Sequence, residues 1–257
     1  MAVRKAGRIV AAVAATAFVA GGAAACGPED LTGGGDKGGD KGTASVSPSE
    51  SAPAGGPEAK APPEGTDALA RTPATVKGGV ITVGDPKAGH TVKLYEDARC
   101  PICRKFEETG ARALVKPVAE GKVKVEYTIA SFLDRNLGGS GSVNAANALR
   151  ASVDAGKFPQ FHAAVFANQA ATETEDAYTP AFLLKIADKV EGLRGAEFDR
   201  AVNKGTYKKW VGQAMQAFTD DGMQGTPTVF VDGKKTGSDA LFDEAAFAKE
   251  LKASGIS

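Results

Sequence analysis

The fold of this 257-residue chain is decided by the stretch Asp97-Ala98-Arg99-Cys100-Pro101-Ile102-Cys103-Arg104-Lys105-Phe106. Alternating apolar residues at 91–95 predict a strand before it, and the residues from Pro101 onward predict a helix. Cys100 then lies at a helix N-terminus, where backbone N–H groups and the helix dipole stabilise a thiolate and lower the thiol pKa. Cys103 lies within one helical turn of Cys100. The two sulfurs can therefore close a disulfide and open it again.

The charge of the chain argues against a nucleic-acid partner. Its 31 basic and 31 acidic residues balance, and residues 1–25 contain three basic residues and no acid. Without that segment, 28 basic residues face 31 acidic ones, and no stretch resembles the dense basic face that binds phosphates. Three cysteines and two histidines are too few for the usual four-ligand structural zinc site. We therefore expect no metal, no cofactor and no nucleic acid.

Residues 1–25 have the pattern of an export signal. A basic start precedes an apolar run at 9–20, which is too short and too rich in alanine for a permanent transmembrane helix. Cys26 follows three alanines, and this sequence resembles the lipobox of bacterial lipoproteins. The resemblance implies lipidation of Cys26 and attachment to the outer face of the cell membrane. The alternative is ordinary cleavage at the Ala-x-Ala sequence, which would leave Cys26 as a free thiol.

A spacer and then one folded domain are predicted after the signal. Residues 26–75 consist mostly of Gly, Pro, Ser, Ala, Asp, Glu and Lys. Such a composition cannot bury enough apolar surface to offset the entropy of ordering the chain. We expect a disordered tether there, which would hold the folded part away from the membrane. The folded domain is expected at 76–257.

Two groups of strands, separated by a helical block, are predicted within the domain. The predicted strands lie at 80–83, 91–96, 123–129, 227–231 and 234–236. The predicted helices of the block lie at 143–155, 159–168, 180–189, 196–203 and 206–221. Helices are also expected at 101–120, where Pro117 should kink or divide the helix, and at 243–253. The β-α-β crossover requires parallel neighbouring strands with helices covering the sheet, which indicates an α/β fold.

These motifs resemble the DsbA-like branch of the thioredoxin superfamily over nearly all of residues 76–257. The resemblance rests on a strand followed by Asp97-x-x-Cys100-Pro101-x-Cys103, on residues 147–169, and on Gly225-Thr226-Pro227-Thr228. It implies a thioredoxin-like α/β fold, in which helices flank a central mixed sheet and a helical domain is inserted at about 138–222. It also implies that the chain is a protein disulfide oxidoreductase.

The same resemblance implies a role for each residue of the site. Cys100 would be the sulfur that becomes linked to the substrate, with Cys103 as its partner in the redox disulfide. Pro101 completes the motif at the first helical position, where the missing N–H of proline costs nothing. Thr226 and Pro227 would form a cis peptide that faces the sulfurs and leaves the Thr226 backbone free to pair with an extended substrate. An ordinary trans proline at the start of a strand is the alternative.

Two departures from the family pattern limit what the resemblance implies. Ala98 stands where an aromatic residue is common. The dipeptide between the cysteines is Pro101-Ile102, without the histidine of strongly oxidising relatives. Neither residue offers a charge to the thiolate, so helix-terminal amides should supply most of the pKa depression of Cys100. The reduction potential of the pair stays open.

Two acids precede the first cysteine, and two roles are open for them. Asp97 matches the family's aspartate, and Glu96 shares a strand face with Leu94. A buried acid there could assist proton transfer at the cysteines; alternatively, both acids are strand-end or cap residues. The superfamily's buried acid of the preceding strand would fall near Leu94, so that relay is expected to be absent. His162 is expected to be a packed histidine.

The expected function is thiol–disulfide exchange with exported proteins, with a membrane protein as the redox partner. Cys100 and Cys103 serve either direction, oxidation or reduction of a substrate. One alternative is a lipid-anchored binding module of the same fold that has lost turnover. Another is a dedicated reductase for cytochrome or metal-centre maturation. An inert structural disulfide is disfavoured, because a bridge across so short a loop adds little stability.

Overall fold

A six-stranded mixed sheet forms the centre of the structure, a computed structural model that describes residues 57–256. Its strands are β1 (Ala74–Lys77), β2 (Val80–Val83), β3 (His90–Asp97), β4 (Val123–Ala130), β5 (Thr228–Val231) and β6 (Lys234–Lys235). Their order across the sheet is β1-β2-β4-β3-β5-β6. β3 and β4 run parallel, and every other neighbouring pair is antiparallel. The predicted export signal and Cys26 lie outside the described residues.

Helices connect and cover the strands. They are α1 (Pro101–Glu108), α2 (Arg112–Ala119), α3 (Leu133–Leu137), α4 (Gly141–Asp154), α5 (Phe158–Ala167), α6 (Pro180–Ala187), α7 (Ala196–Lys204), α8 (Lys208–Asp220), α9 (Ser238–Leu241) and α10 (Glu244–Ala253), with a 3-10 helix at Thr66–Leu69. The predicted α/β arrangement, a mixed sheet flanked by helices, is confirmed. Among the described helices, none is both long enough and apolar enough to span a membrane.

β3 leads directly into the loop that contains Cys100. The four residues at its end, Leu94, Tyr95, Glu96 and Asp97, are all buried. Because successive strand side chains point to opposite faces, protein must cover both faces of this strand end. The two acids at its C-terminus are therefore held inside the protein, directly before the loop that leads to Cys100.

The helical block between β4 and β5 agrees closely with the sequence prediction. All five predicted helices are present as α4 to α8, and their ends differ from the predicted ends by no more than two residues. α8 packs against β4, and α4 contacts α5, α7 and α8. The short helices α3 and α9 were not predicted, because four or five residues do not establish a helical period.

The predicted helix 101–120 is two helices, and the break does not lie at Pro117. α1 ends at Glu108 and α2 begins at Arg112, while Pro117 lies inside α2. The break surrounds Gly110, where a Cβ atom would lie 2.1 Å from the carbonyl oxygen of Leu241. Only a residue without a side chain allows α9 to approach the chain this closely, and glycine also weakens a helix at that point.

The packed part of the chain begins before the predicted boundary at residue 76. Residues 57–75 include the 3-10 helix and the start of β1, which pairs with β2. Ala59 is buried. The side-chain amide of Asn168 accepts from the Lys60 N–H at 2.7 Å and donates to the Lys60 carbonyl oxygen at 2.9 Å. A side chain from the helical block thus orders a segment whose composition predicted a spacer.

Candidate active site

The two cysteines of the motif lie where β3 leads into α1. Cys100 is the N-cap residue and Pro101 the first residue of α1. Both cysteines are free thiols in the structure. Cys100 is 8% exposed, whereas Cys103 is fully buried. Cys100 is therefore the sulfur of the pair that a substrate can reach.

The thiol of Cys100 is acidic. Its pKa is lowered to about 6, and the largest cause is a hydrogen bond from the Cys103 thiol. Backbone N–H groups of Cys103 and Ile102 lower the pKa further, whereas burial raises it. The sequence predicted that helix-terminal amides would be the main cause. That prediction is wrong, because the hydrogen bond from Cys103 lowers the pKa more than the amides do. At neutral pH most of Cys100 is the nucleophilic thiolate.

Cys103 shows the opposite behaviour. Its pKa is raised well above the ordinary thiol value, first by burial and then by the hydrogen bond and negative charge of Cys100. The negative charge of Glu96 adds to this effect. Cys103 is therefore a thiol whenever the pair is reduced at neutral pH. The neighbouring sulfurs differ in both accessibility and charge.

The loop before β5 brings Thr226 and Pro227 to the first cysteine. The Cys100 sulfur lies 3.4 Å from the Thr226 carbonyl oxygen, to which its protonated form donates a hydrogen bond, although 126 residues separate them in the chain. The Thr226–Pro227 peptide bond is cis. Five of the six predicted residues of the redox site, Cys100, Pro101, Cys103, Thr226 and Pro227, thus lie together.

The sixth predicted residue, Asp97, binds to the polypeptide around the site. Its carboxylate accepts from the Ser142 hydroxyl at 2.7 Å, the Arg99 N–H at 3.0 Å and the Leu133 N–H at 3.2 Å. Burial raises the pKa of Asp97 to about 6, although these hydrogen bonds oppose the shift. Of the two roles that the sequence left open for Asp97, these contacts favour that of a strand-end residue, because Asp97 ends β3 and its side chain caps neither α1 nor α3.

The second acid, Glu96, belongs to a buried cluster that the sequence did not predict. His162 Nε2 forms a short hydrogen bond with Glu96 Oε1, and His162 Nδ1 lies 3.8 Å from Glu107 Oε2. Glu107 follows Cys103 by four residues, so it lies on the same helix face, and that spacing was the available signal. His162 is packed against aromatic rings, as predicted, but two acids flank it.

Burial and the neighbouring charges shift the pKa values of the groups in this cluster. Burial raises the pKa of Glu107 to about 8, although His162 opposes the shift. Burial lowers the pKa of His162, but attraction to Glu96 and Glu107 outweighs it and raises that pKa to about 9. Near neutral pH these shifts therefore favour the protonated forms of Glu107 and His162.

A cavity of about 370 Å³ opens beside the cluster. Glu107, His162 and Tyr127 contribute to its walls, together with residues 63–66 of the N-terminal segment. Neither cysteine lines it. The cluster therefore has an access route separate from the surface at which Cys100 is exposed.

Two polar side chains hold the loop that carries Cys100. The Gln169 amide donates to the carbonyl oxygens of Ala98 at 2.7 Å and Cys100 at 2.9 Å. The buried Arg99 guanidinium binds Asp134 at 2.8 Å and the Glu173 carbonyl oxygen at 2.8 Å. These contacts fix the cysteine loop to the helical block. The sequence around Arg99 does not indicate that it is buried, because its partners Asp134 and Glu173 lie 35 and 74 residues further along the chain.

Apolar side chains surround the sulfurs. Ile102, between the two cysteines, is 48% exposed. Leu133 and Phe166 pack around the cysteine pair, with the half-buried Phe132 and Leu137 beside them. The surface next to Cys100 therefore offers apolar contacts to a bound polypeptide.

Comparisons with known proteins agree with this architecture. A family model described as thioredoxin matches residues 76–252. Disulfide bond formation protein D of Bacillus subtilis (strain 168) is 29% identical over 194 residues, which are 74% of this chain and 84% of that protein. The match therefore covers most of both proteins.

Solved structures show the same fold. Oxidised DsbA of Mycobacterium tuberculosis is 26% identical, with a TM-score of 0.54, and the match covers 71% of this chain and 91% of that one. Oxidised BdbD of Bacillus subtilis is 23% identical, with a TM-score of 0.57 and coverage of 70% and 97%. The chain belongs to the thioredoxin family and, within it, to the DsbA-like protein disulfide oxidoreductases.

Proposed function

We propose that the protein is an extracytoplasmic thiol–disulfide oxidoreductase that exchanges disulfides with exported proteins through Cys100 and Cys103. The observation that carries the proposal is the contrast between the sulfurs. The pKa of Cys100 is lowered to about 6, whereas the pKa of the fully buried Cys103 is raised well above its ordinary value. An accessible thiolate beside a protected thiol suits the two steps of disulfide exchange.

In the first step, a substrate thiolate attacks the Cys100 sulfur of the oxidised pair. A new sulfur–sulfur bond forms between substrate and Cys100 while the Cys100–Cys103 bond breaks. Cys103 leaves with the bonding electron pair and takes up a proton, because its thiol form is strongly favoured. The product of this step is a mixed disulfide in which Cys100 holds the substrate.

In the second step, a second substrate thiolate attacks the substrate sulfur of the mixed disulfide. The substrate closes its own disulfide, and Cys100 leaves as a thiolate that the Cys103 thiol stabilises. Two electrons have then passed from the substrate dithiol to the enzyme dithiol. The Thr226 backbone and the exposed Ile102 lie where they can contact the substrate chain during both steps.

A membrane redox partner is proposed to reoxidise the pair, and lipidated Cys26 is proposed to hold the enzyme at the outer face of the membrane. Both parts rest on the sequence and on the kind of enzyme. If Cys26 carries the anchor, a C26A variant should move from the membrane fraction to the soluble extracytoplasmic fraction. A C26A variant that stays with the membranes would contradict the anchor while leaving the redox proposal intact.

The reduction potential of the pair, equilibrated against a glutathione buffer, tests the proposal. A Cys100 pKa of about 6 lies between the values of about 7 in thioredoxin and about 3.5 in DsbA. We therefore expect a potential between about −270 and −120 mV, the values of those two proteins. In C103S the Cys100 thiolate should attack an oxidised peptide disulfide and stay linked to one peptide sulfur while the other leaves as a thiol, because no second enzyme thiol can resolve the mixed disulfide; C100S should form no such adduct. A wild-type pair that never cycles would favour the binding module without turnover.

A further inference from the structure

Two buried oxygens of the Glu96–Glu107–His162 cluster accept no hydrogen bond. Oε2 of Glu96 and Oε1 of Glu107 are shielded from solvent and have no donor among the described residues. The Glu96 side chain is 0% exposed. A buried carboxylate oxygen without a partner costs free energy, so natural proteins rarely keep one without a use.

The charge of the cluster suits a divalent cation. His162 is the ion-pair partner of both carboxylates within the described part of the chain. Without a metal, Glu107 stays protonated near neutral pH, because the single imidazolium balances only one carboxylate. A divalent cation with a neutral imidazole would balance both, with no net charge left in the interior.

The ligand atoms are already close to one another. One side-chain atom from each of Glu96, Glu107 and His162 lies within 4.8 Å of the other two. Ligands on a tetrahedral zinc ion lie about 2.0–2.2 Å from the metal, and therefore roughly 3.3 Å apart. The residues come from β3, α1 and α5, three separate elements that fix their positions. Small side-chain movements would bring the atoms onto one ion.

The chemistry of the ligands selects the class of metal. Calcium takes six to eight oxygen ligands, and magnesium prefers six oxygens with several waters. An imidazole nitrogen with two carboxylates instead suits zinc and similar transition metals. The cavity of about 370 Å³, lined by Glu107 and His162, supplies an entry route and space for a water ligand at a fourth position.

We propose that Glu96, Glu107 and His162 form a binding site for a divalent transition-metal cation of the zinc class, entered from the cavity and separate from the cysteine pair. The two unpartnered buried oxygens and the convergence of three ligand atoms carry this assignment. The site adds a binding function to the fold and does not depend on the direction of thiol exchange.

Calorimetric titration of a C100S/C103S variant with zinc tests the proposal. The background lacks the cysteine pair, because thiolates bind zinc themselves. We expect one zinc per protein and no detectable heat with magnesium. E107Q, and separately H162Q, should weaken zinc binding by about 100-fold or more, since even residues behind a ligand contribute 10–100-fold. E108Q is the matched control, because Glu108 is the exposed neighbour on the same helix and should not change the affinity.

A second measurement keeps the test valid if a variant folds poorly. Oxidised wild-type crystals grown with zinc should show an anomalous diffraction peak between Glu96, Glu107 and His162. A peak only at surface residues, or equal zinc affinity in E107Q and E108Q, would refute the site. Because the C100S/C103S background cannot exchange disulfides, these results stand apart from the redox proposal.

Discussion

Cys100 and Cys103 lie three residues apart, and their pKa values are shifted in opposite directions. The pKa of Cys100 is lowered to about 6 with the Cys103 thiol as the largest cause, and the pKa of Cys103 is raised by burial and by Cys100. One thiol stabilises the negative charge of the other. At the scale of single residues, the acidity of the site is therefore a property of the pair.

Replacing Cys103 tests this dependence. In reduced C103A the hydrogen bond to the Cys100 sulfur is gone, so the pKa of Cys100 should rise by at least about one unit, towards the ordinary value of about 8.5. The pH dependence of Cys100 alkylation by iodoacetamide measures this pKa. The wild-type midpoint is expected near pH 6.

C103S is the control for this experiment, because its hydroxyl still donates a hydrogen bond of similar geometry. Its midpoint should lie between those of wild type and C103A. If wild type and C103A show the same midpoint, backbone amides at the start of α1 hold the thiolate, as the sequence alone predicted.

The sequence predicted the residues of the redox site better than those of the buried Glu96–Glu107–His162 cluster. Two short motifs indicated their chemistry from the sequence, and the structure places these motifs together: Cys100 with Cys103, and Thr226 with Pro227. His162 and the acids beside it could not be grouped in this way. Their contacts join β3, α1 and α5, and single-chain periodicity gives the face of each element but not the partner across it.

At the scale of elements, close backbone approaches shape the region that follows the cysteines. α1 and α2 are separated at Gly110, against which the carbonyl oxygen of Leu241 in α9 packs. The sequence predicted a break from Pro117, because proline is the strongest local signal against a helix. The actual break depends on a tertiary contact with a segment distant in the chain, which a local pattern does not contain.

Gly110 should therefore resist substitution. In G110A the new Cβ would lie 2.1 Å from the Leu241 carbonyl oxygen, so backbone must move. We expect a loss of about 1–3 kcal/mol in the free energy of unfolding, the usual cost of overpacking. Urea denaturation followed by circular dichroism measures it.

G212A is the matched control, since Gly212 lies inside α8 and, apart from the adjacent backbone of that helix, no described atom lies within 4 Å of the place that an alanine methyl group would take. That substitution should raise the free energy of unfolding by about 0.5–1 kcal/mol, because alanine favours a helix more than glycine does. Equal losses in G110A and G212A would mean that the approach of α9 does not constrain residue 110.

At the scale of the whole molecule, the redox state should alter stability. A thiolate whose pKa is lower in the folded than in the unfolded protein stabilises the folded state, and this contribution is lost as pH falls through the folded pKa. Reduced protein has this thiolate at Cys100, whereas oxidised protein does not. Glu107 and His162 also titrate, but both redox forms contain them, so a difference between the forms largely cancels their contributions.

The unfolding temperature of reduced protein, minus that of oxidised protein, should therefore fall as pH is lowered from about 8 to about 6. The Cys100 pKa of about 6 and the ordinary thiol value of about 8.5 set this window. One proton changes the free energy of unfolding by at most about 1.4 kcal/mol per pH unit, which corresponds to about 3–6 °C for a domain of this size. Thermal unfolding with and without a phosphine reductant measures the difference. C100A cannot form the disulfide, so its unfolding temperature is compared directly with that of reduced wild type, and it should fall less between about pH 8 and about pH 6. An equal fall in both proteins would mean that other groups carry the pH dependence and that the acidity of Cys100 does not drive the protein towards its reduced state.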